Sequence, residues 1–307
     1  MYIHNSKGYD GHFLITALNK YGYKENDIIS CIPSTEEKYI SFSKKIKVDE
    51  YIYKGKQVDV YFEIRFIDTL AFLPASISTL NDNLKKDRTT TKQLRKVFKN
   101  VSNHFTSDEK FKLMTSKGIY PYEYVNNYDK LLETQLPPQK AFYSSLTNSY
   151  CSDKDYKRAL DVWNTFNCNT LLDYHNLYLI ADVLLLADIW ENFKTVCYNI
   201  YKLDVSYYYT SPGLSWDAFL KHTDEYYMKK YNKHFEIELL TDMDMYLFVE
   251  SSIRGGLSQI SKRYAKANNK YMSNYDKSLM DSYILYLDAN NLYGYAMCEY
   301  LPQGNFK

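Results

Sequence analysis

Three aspartates stand in runs whose residue types could do chemistry: Asp288, Asp182 and Asp10. The run Tyr283-Ile-Leu-Tyr-Leu-Asp288-Ala-Asn-Asn291-Leu292-Tyr293-Gly294 is apolar and strand-forming and delivers a carboxylate at its C-terminal end. The turn after it offers backbone amides and an aromatic ring. An acid at a strand end beside free N–H groups suits a divalent metal carrying a phosphate, although many such aspartates only cap a turn. In Asp173-Tyr-His-Asn-Leu-Tyr178-Leu-Ile-Ala-Asp182-Val-Leu-Leu-Leu-Ala-Asp188, Tyr178 and Asp182 are four apart and share one face of a predicted helix. Asp182 lies among Leu, Ile, Val and Ala, where a lone carboxylate costs several kcal/mol unless a cation or hydrogen bonds compensate. Asp188 reads as a surface position on the polar side. In His4-Asn5-Ser-Lys-Gly8-Tyr9-Asp10-Gly11-His12-Phe13, Asp10 follows a turn and opens a helix, where aspartate is a favoured N-cap. Asp68 is one more strand-end acid, while His12 and His175 read as structural histidines.

The elements that must position these groups follow from periodicity. A short strand, a turn at Ser6-Lys-Gly8 and a helix from about Asp10 to Tyr21 open the chain. Val58, Val60, Phe62, Ile64 and Phe66 alternate, the period of a strand with one buried face, and Ile40, Phe42, Ile46 and Val48 predict a partner strand, with Gly55 at the turn. A helical pattern runs from Asp68 through Leu84, then a basic stretch from Lys85 to Lys99. Residues 106–150 read as loop-rich, with Lys117-Gly-Ile-Tyr-Pro121 and Pro137-Pro138 as breakers. Helices are predicted over 153–166 and 170–201, and another from near Trp216.

The 307 residues can build two modest domains, and 45% hydrophobic with 24% charged content is globular. The formal net charge of +1 carries no global signal for nucleic acid, so charge of that kind must be local, as in Lys262, Arg263, Lys266 and Lys270, or Lys85 to Lys99. Thirty-four tyrosines could offer stacking faces to bases, but most follow a bias toward Tyr, Asn, Lys and Ile along the chain. Cys31, Cys151, Cys168, Cys197 and Cys298 show no paired spacing, which argues against a zinc site or disulfide scaffold and fits a reducing compartment. The longest apolar runs, such as 177–189, are too short and too acidic to span a membrane.

About thirty residues before Asp288 lies Ile253-Arg254-Gly255-Gly256-Leu-Ser-Gln-Ile-Ser-Lys262-Arg263-Tyr264. Paired glycines allow close backbone approach to a ligand, and the basic, aromatic segment after them suits a phosphate backbone. With the Asp288 run it resembles the protein-primed branch of family B DNA polymerases, found in phages, linear organellar plasmids and Polinton-type elements. Arg254, Gly255 and Gly256 are similar to that branch's Tyr-x-Gly-Gly DNA-contacting turn, with Ile253 in place of the Tyr. The Asp288 run resembles polymerase motif A, Asp-x-x-Ser-Leu-Tyr-Pro, with Asn291 for the Ser and Gly294 for the Pro. The resemblance implies that Asp288 holds a metal and that Asn291, Leu292 and Tyr293 face the incoming nucleotide. Asn5, Tyr9 and Asp10 resemble the second exonuclease motif. There Asp10 would be a metal-linked carboxylate, and Asn5 and Tyr9 would hold a single-stranded 3′ end. Tyr178-x-x-x-Asp182 resembles the third, in which the Asp binds metal and the Tyr orients the attacking water.

The implied fold is α/β: a ribonuclease H-like 3′–5′ exonuclease domain over 1–200, then a linker and the opening of a polymerase palm over 201–307. The implied cofactor is Mg²⁺ or Mn²⁺. The implied partners are template-primer DNA with a single-stranded 3′ end, dNTP, and a terminal protein primer. The family's first exonuclease motif and its polymerase motifs B and C are not found in 1–307. The chain is therefore expected to be a fragment that does not polymerise alone. The alternatives are a catalytically inactive DNA-binding remnant of a mobile element and a stand-alone nuclease. Nucleus, mitochondrion and a viral or mobile-element setting all stay open.

Overall fold

The computed structural model describes residues 1–20, 28–35 and 38–306, and the chain divides into two compact units, Met1–His222 and Thr223–Lys307. The first unit is built on a four-stranded mixed sheet of order β1-β4-β3-β2: β1 (Tyr2–Ile3), β2 (Ile28–Thr35), β3 (Lys38–Tyr53) and β4 (Lys56–Asp68). Strand β1 runs parallel to the end of β4, with Tyr2 opposite Ile67 and Ile3 opposite Asp68. The other pairings are antiparallel.

The β3–β4 hairpin turns on Lys54 and Gly55, both at positive φ (48° and 75°), the two-residue connection that matches strand twist. The predicted strand pair and turn are both present. The alternation, however, is buried only near the C-terminal end of β4, where Phe66 stacks on Phe42 at 4.6 Å. Phe62, on the same alternating set, is 59% exposed, because the far half of the hairpin extends beyond the helices that cover the sheet. Val48 is the extra residue of a bulge between Lys47 and Asp49.

Helix α1 (Asp10–Lys20) follows β1 and contacts β3; Tyr21, at its expected end, lies outside the described residues. After the sheet come α2 (Ile77–Lys85), α3 (Thr91–Val97), α4 (Lys99–His104), α5 (Asp108–Met114), α6 (Asp153–Thr165) and α7 (Leu171–Tyr201). The predicted loop region thus contains α5, too short to show a period but sending Phe111 and Met114 into the core. Helix α7 has 31 residues, about 46 Å long. Its start is set by the Thr170/Asp173 capping box and its end by Lys202 in the left-handed region.

One side of α7 packs on α2 and α4, and α5 packs on α6, around a core in which Phe98, Val101, Phe111, Leu171 and Leu185 are all fully buried. Each such side chain contributes about 1.5–3 kcal/mol. Farther along, Trp190 and Cys197 meet Ile67, Phe72, Val205 and Leu214, which joins α7 to the sheet. Helix α8 (Ser211–Tyr231) begins five residues before the expected Trp216, since Pro212 is tolerated in a first turn.

The second unit holds α9 (Met243–Ser252), α10 (Leu292–Met297) and an isolated bridge between Asn268 and Ser282. Asn269, 5% exposed, donates to Ser282 O and accepts from Tyr271 N. Among the described residues, the buried hydrophobic side chains run from Phe42 to Ala218 and none falls in this unit.

Candidate functional site

Three acids, Asp10, Asp68 and Asp182, were candidates in the first unit, and hydrogen-bond accounting separates Asp182 from Asp68 and from its helix neighbour Asp188. Asp68 is buried at the end of β4. Its Oδ1 accepts from Asn5 N and Leu70 N, both at 2.9 Å, and Oδ2 accepts from Lys7 N at 3.4 Å. It anchors the Asn5–Gly8 turn and has the partners of a structural group. His4 is anchored in the same place, by Thr69 Oγ1 and Ala75 O at 2.9 Å each.

Asp188 is 1% exposed, so the surface position expected for it is wrong. Its Oδ1 accepts from Asn100 N (2.8 Å) and Asn100 Nδ2 (2.9 Å), and Oδ2 from Val101 N (3.0 Å). Those amides open α4, whose N-cap residue Phe98 has no side-chain acceptor, so Asp188 caps that helix from across the core.

Asp182 is different. Its Oδ1 is buried with no hydrogen-bond partner, and Oδ2 lies 3.6 Å from Lys117 Nζ. Burial pushes its carboxyl above the usual range, opposed by the Lys117 charge and then by the Tyr178 hydroxyl. Tyr178 lies beside it as the i, i+4 spacing requires, and its hydroxyl meets Tyr122 Oη at 2.7 Å. Burial first, and then these neighbours, push the Tyr178 phenol well up, so it stays protonated and keeps a proton to donate. Tyr120 and Tyr122 wall the site, with ring centroids 5.2 and 6.1 Å from Tyr178. His175 bonds to Tyr120 Oη at 2.9 Å, the structural role expected of it.

Lys117, Tyr120 and Tyr122 were read from sequence only as a loop broken by Gly118 and Pro121. The usable signal was a lysine and two alternate tyrosines in one short irregular segment, where binding residues concentrate. Gly118 fits closely there: a Cβ would sit 3.1 Å from Tyr178 Cδ2, so the ring would have to shift to admit one.

Asn5, Tyr9 and Asp10 lie together on an exposed edge. Asn5 takes φ 64°, a conformation asparagine tolerates. Tyr9 is 68% exposed and packs edge-on against Phe13 at 4.8 Å. Asp10 is the first residue of α1 and exposed. Among the described residues no group of three or more His, Cys, Asp or Glu comes together to hold a metal ion.

In the second unit Arg254, Gly255, Gly256, Lys262 and Arg263 lie in exposed chain outside helix and strand. Neither glycine has positive φ, and a Cβ on either would meet nothing within 4 Å. The expected strand before Asp288 is not formed: residues 283–289 are neither strand nor helix, with Tyr286 93% exposed. An apolar run becomes a strand only with a sheet to pair with, and among the described residues this unit has none. After Asp288, Asn291 sits at φ 49° and leads into α10, which carries Leu292 and Tyr293, both exposed. The Asn291 side chain folds over Gly294, and a side chain at that position would displace it.

A mixed α/β unit with an acid and a tyrosine on one long helix, met by a lysine from an irregular segment, is one feature; the order of motifs is the other. The whole chain, residues 1–307, matches the family described as DNA polymerase type B, organellar and viral, and the chain belongs to that family. It is similar to a probable DNA polymerase of Agaricus bitorquis, 25% identical over 203 residues, covering 62% of this chain and 21% of that protein. The chain therefore spans about a fifth of the length of this relative. No solved structure matches it.

Proposed function

We propose that the chain carries the proofreading nuclease and the opening of the polymerase part of a DNA-directed DNA polymerase. Residues 1–200 are read as a ribonuclease H-like 3′–5′ exonuclease domain, and 201–307 as a linker and the start of a palm. The observation that carries the nuclease reading is the buried, partnerless Oδ1 of Asp182, beside Tyr178 and Lys117. An orphaned carboxylate oxygen is costly unless a ligand completes it, and a divalent cation fits that need. Asp10 and Asp182 would hold Mg²⁺ or Mn²⁺ here, and Asp288 in the polymerase part. When bound, such ions activate water and stabilise the leaving oxygen of a phosphodiester.

The chain's own groups supply the rest. Tyr9 stacks on a terminal base and Asn5 hydrogen-bonds it, with Tyr120 and Tyr122 as further ring faces. Lys117 attracts the scissile phosphate, and the protonated Tyr178 orients the water that attacks it. Arg254, Gly255, Gly256, Lys262 and Arg263 contact the DNA backbone; Asn291, Leu292 and Tyr293 meet dNTP. A terminal protein primes the reaction.

The test is degradation of a 3′-labelled single strand by the purified chain with Mg²⁺ or Mn²⁺. We expect loss from the 3′ end that Asp182→Ala abolishes. Equal activity of Asp182→Ala and wild type would refute the reading. The lack of a three-acid cluster among the described residues favours a second reading, a DNA-binding segment without catalysis. Binding of the strand without cleavage would select it. Incorporation of dNTP by 1–307 alone would contradict the expectation that the chain does not polymerise alone.

A further inference from the structure

We propose that Arg158 is a positioning residue whose half-buried guanidinium sets the 113–117 chain so that Lys117 reaches Asp182. The meaning of that pair rests on the nuclease reading, but the positions of the groups do not. Arg158, on α6, donates Nη1 to Lys117 O at 2.6 Å and Nη2 to Leu113 O at 2.7 Å, and it also donates to Ser116 O. Leu113 O belongs to the last turn of α5 and lacks an intrahelical partner, while Ser116 and Lys117 lie in irregular chain. Three carbonyls that no helix or sheet would satisfy thus converge on one planar fork.

This is a costly way to tie a loop. Arg158 forms no ion pair among the described residues, and burial lowers its tendency to hold its proton, with only Tyr174 and Asp155 favouring the charge. A neutral amide could cap one or two carbonyls without burying a cation. What the fork adds is direction: it holds the Lys117 carbonyl on the α6 side, and the Lys117 side chain reaches the Asp182 carboxylate. The next residues are fixed as well. Gly118 lies against the Tyr178 ring, and Tyr174 Oη donates to Ile119 O at 2.7 Å. Just before, Asn81 Nδ2 donates to Thr115 O at 2.9 Å and Lys85 to Ser116 Oγ. Among the described residues, Arg158 is the side chain bonded to the backbone of Lys117 itself.

The experiment reads the lysine directly. The metal-free full chain is labelled with an amine reagent under single-hit conditions, and the rate at Lys117 is followed by mass spectrometry. Lys110 and Lys112 on neighbouring α5 serve as internal standards. Asp182→Asn removes the partner and should raise the Lys117 rate about three- to fivefold, the scale of a partly exposed ion pair. Arg158→Met should raise it by a similar factor with the standards unchanged, and Arg158→Lys, which keeps the charge but loses the fork, by less. The double variant Arg158→Met with Asp182→Asn should be no faster than either alone.

An unchanged Lys117 rate in Arg158→Lys overturns the proposal, and this variant decides if Arg158→Met does not fold. An unchanged rate in Asp182→Asn overturns it too. A rise that Lys110 and Lys112 share marks general loosening and also overturns it. A wild-type chain that labels as expected but cleaves no DNA sinks the nuclease reading and leaves the clamp standing.

Discussion

Replacing Asp182 by asparagine should stabilise the first unit while abolishing cleavage. The buried Oδ1 of Asp182 has no partner, and stranding such an acceptor costs about 1–3 kcal/mol. The Lys117 pair at 3.6 Å, with side chains 33% and 22% exposed, returns about 0–1 kcal/mol. Asparagine still places a polar atom there but removes the buried charge, whose unpaired oxygen costs more than a neutral one, so the exchange should gain about 1 kcal/mol, which for a unit of this size raises Tm by about 2–4 °C. Calorimetry in EDTA at pH 7.5 reads this directly.

The pH dependence has a definite sign. The folded-state pKa of Asp182 is raised from its ordinary 3.8, chiefly by burial. Between the two values the native state holds a proton that the unfolded chain lacks, so wild-type stability falls as pH rises through that window. The advantage of Asp182→Asn should shrink as pH falls through that window toward pH 4. Mn²⁺ should raise the wild-type Tm and leave the variant where it was. A variant that melts below wild type at pH 7.5, or a gap that does not close in acid, would refute the reasoning.

Asp188→Ala, which strands two helix-opening amides, should cost about 2–3 kcal/mol by guanidinium denaturation, and a loss under about 0.5 kcal/mol would contradict the capping role. Lys85 is held down to about 8 by burial and then by the Arg158 charge, so between about 8 and 10.5 the unfolded chain carries a proton the native state lacks. Wild type should accordingly gain stability relative to Lys85→Met as pH rises from 8 to 10, read as denaturation midpoints at both values. Tyr9→Ala should weaken binding of a single-stranded oligonucleotide about 5- to 100-fold by fluorescence anisotropy, the worth of one stacked base, with stability changed by under about 0.5 kcal/mol because the ring is exposed.

What was legible in the sequence was local. The β3–β4 hairpin shows in alternate apolar residues and in Gly55, and α7 in the helical run predicted over 170–201, because both patterns are written in local sequence. The strand before Asp288 has the same local pattern and did not form, since a ladder needs a neighbour and propensity supplies none. Lys117 was missed because its role depends on Arg158, forty-one residues on, and on Asp182.

The acids carry the sharper lesson. Asp182 and Asp188 lie on one helix, both in apolar sequence and both with carboxyls pushed up by burial. Neither their spacing nor their burial tells a site from a scaffold. The difference is in the donors: Asp188 has three and Asp68 has three, so neither has an oxygen left for a ligand. Asp182 keeps one buried oxygen that no donor among the described residues reaches. In a helix this well packed such an omission is costly, and the costly omission is where a ligand has something to gain.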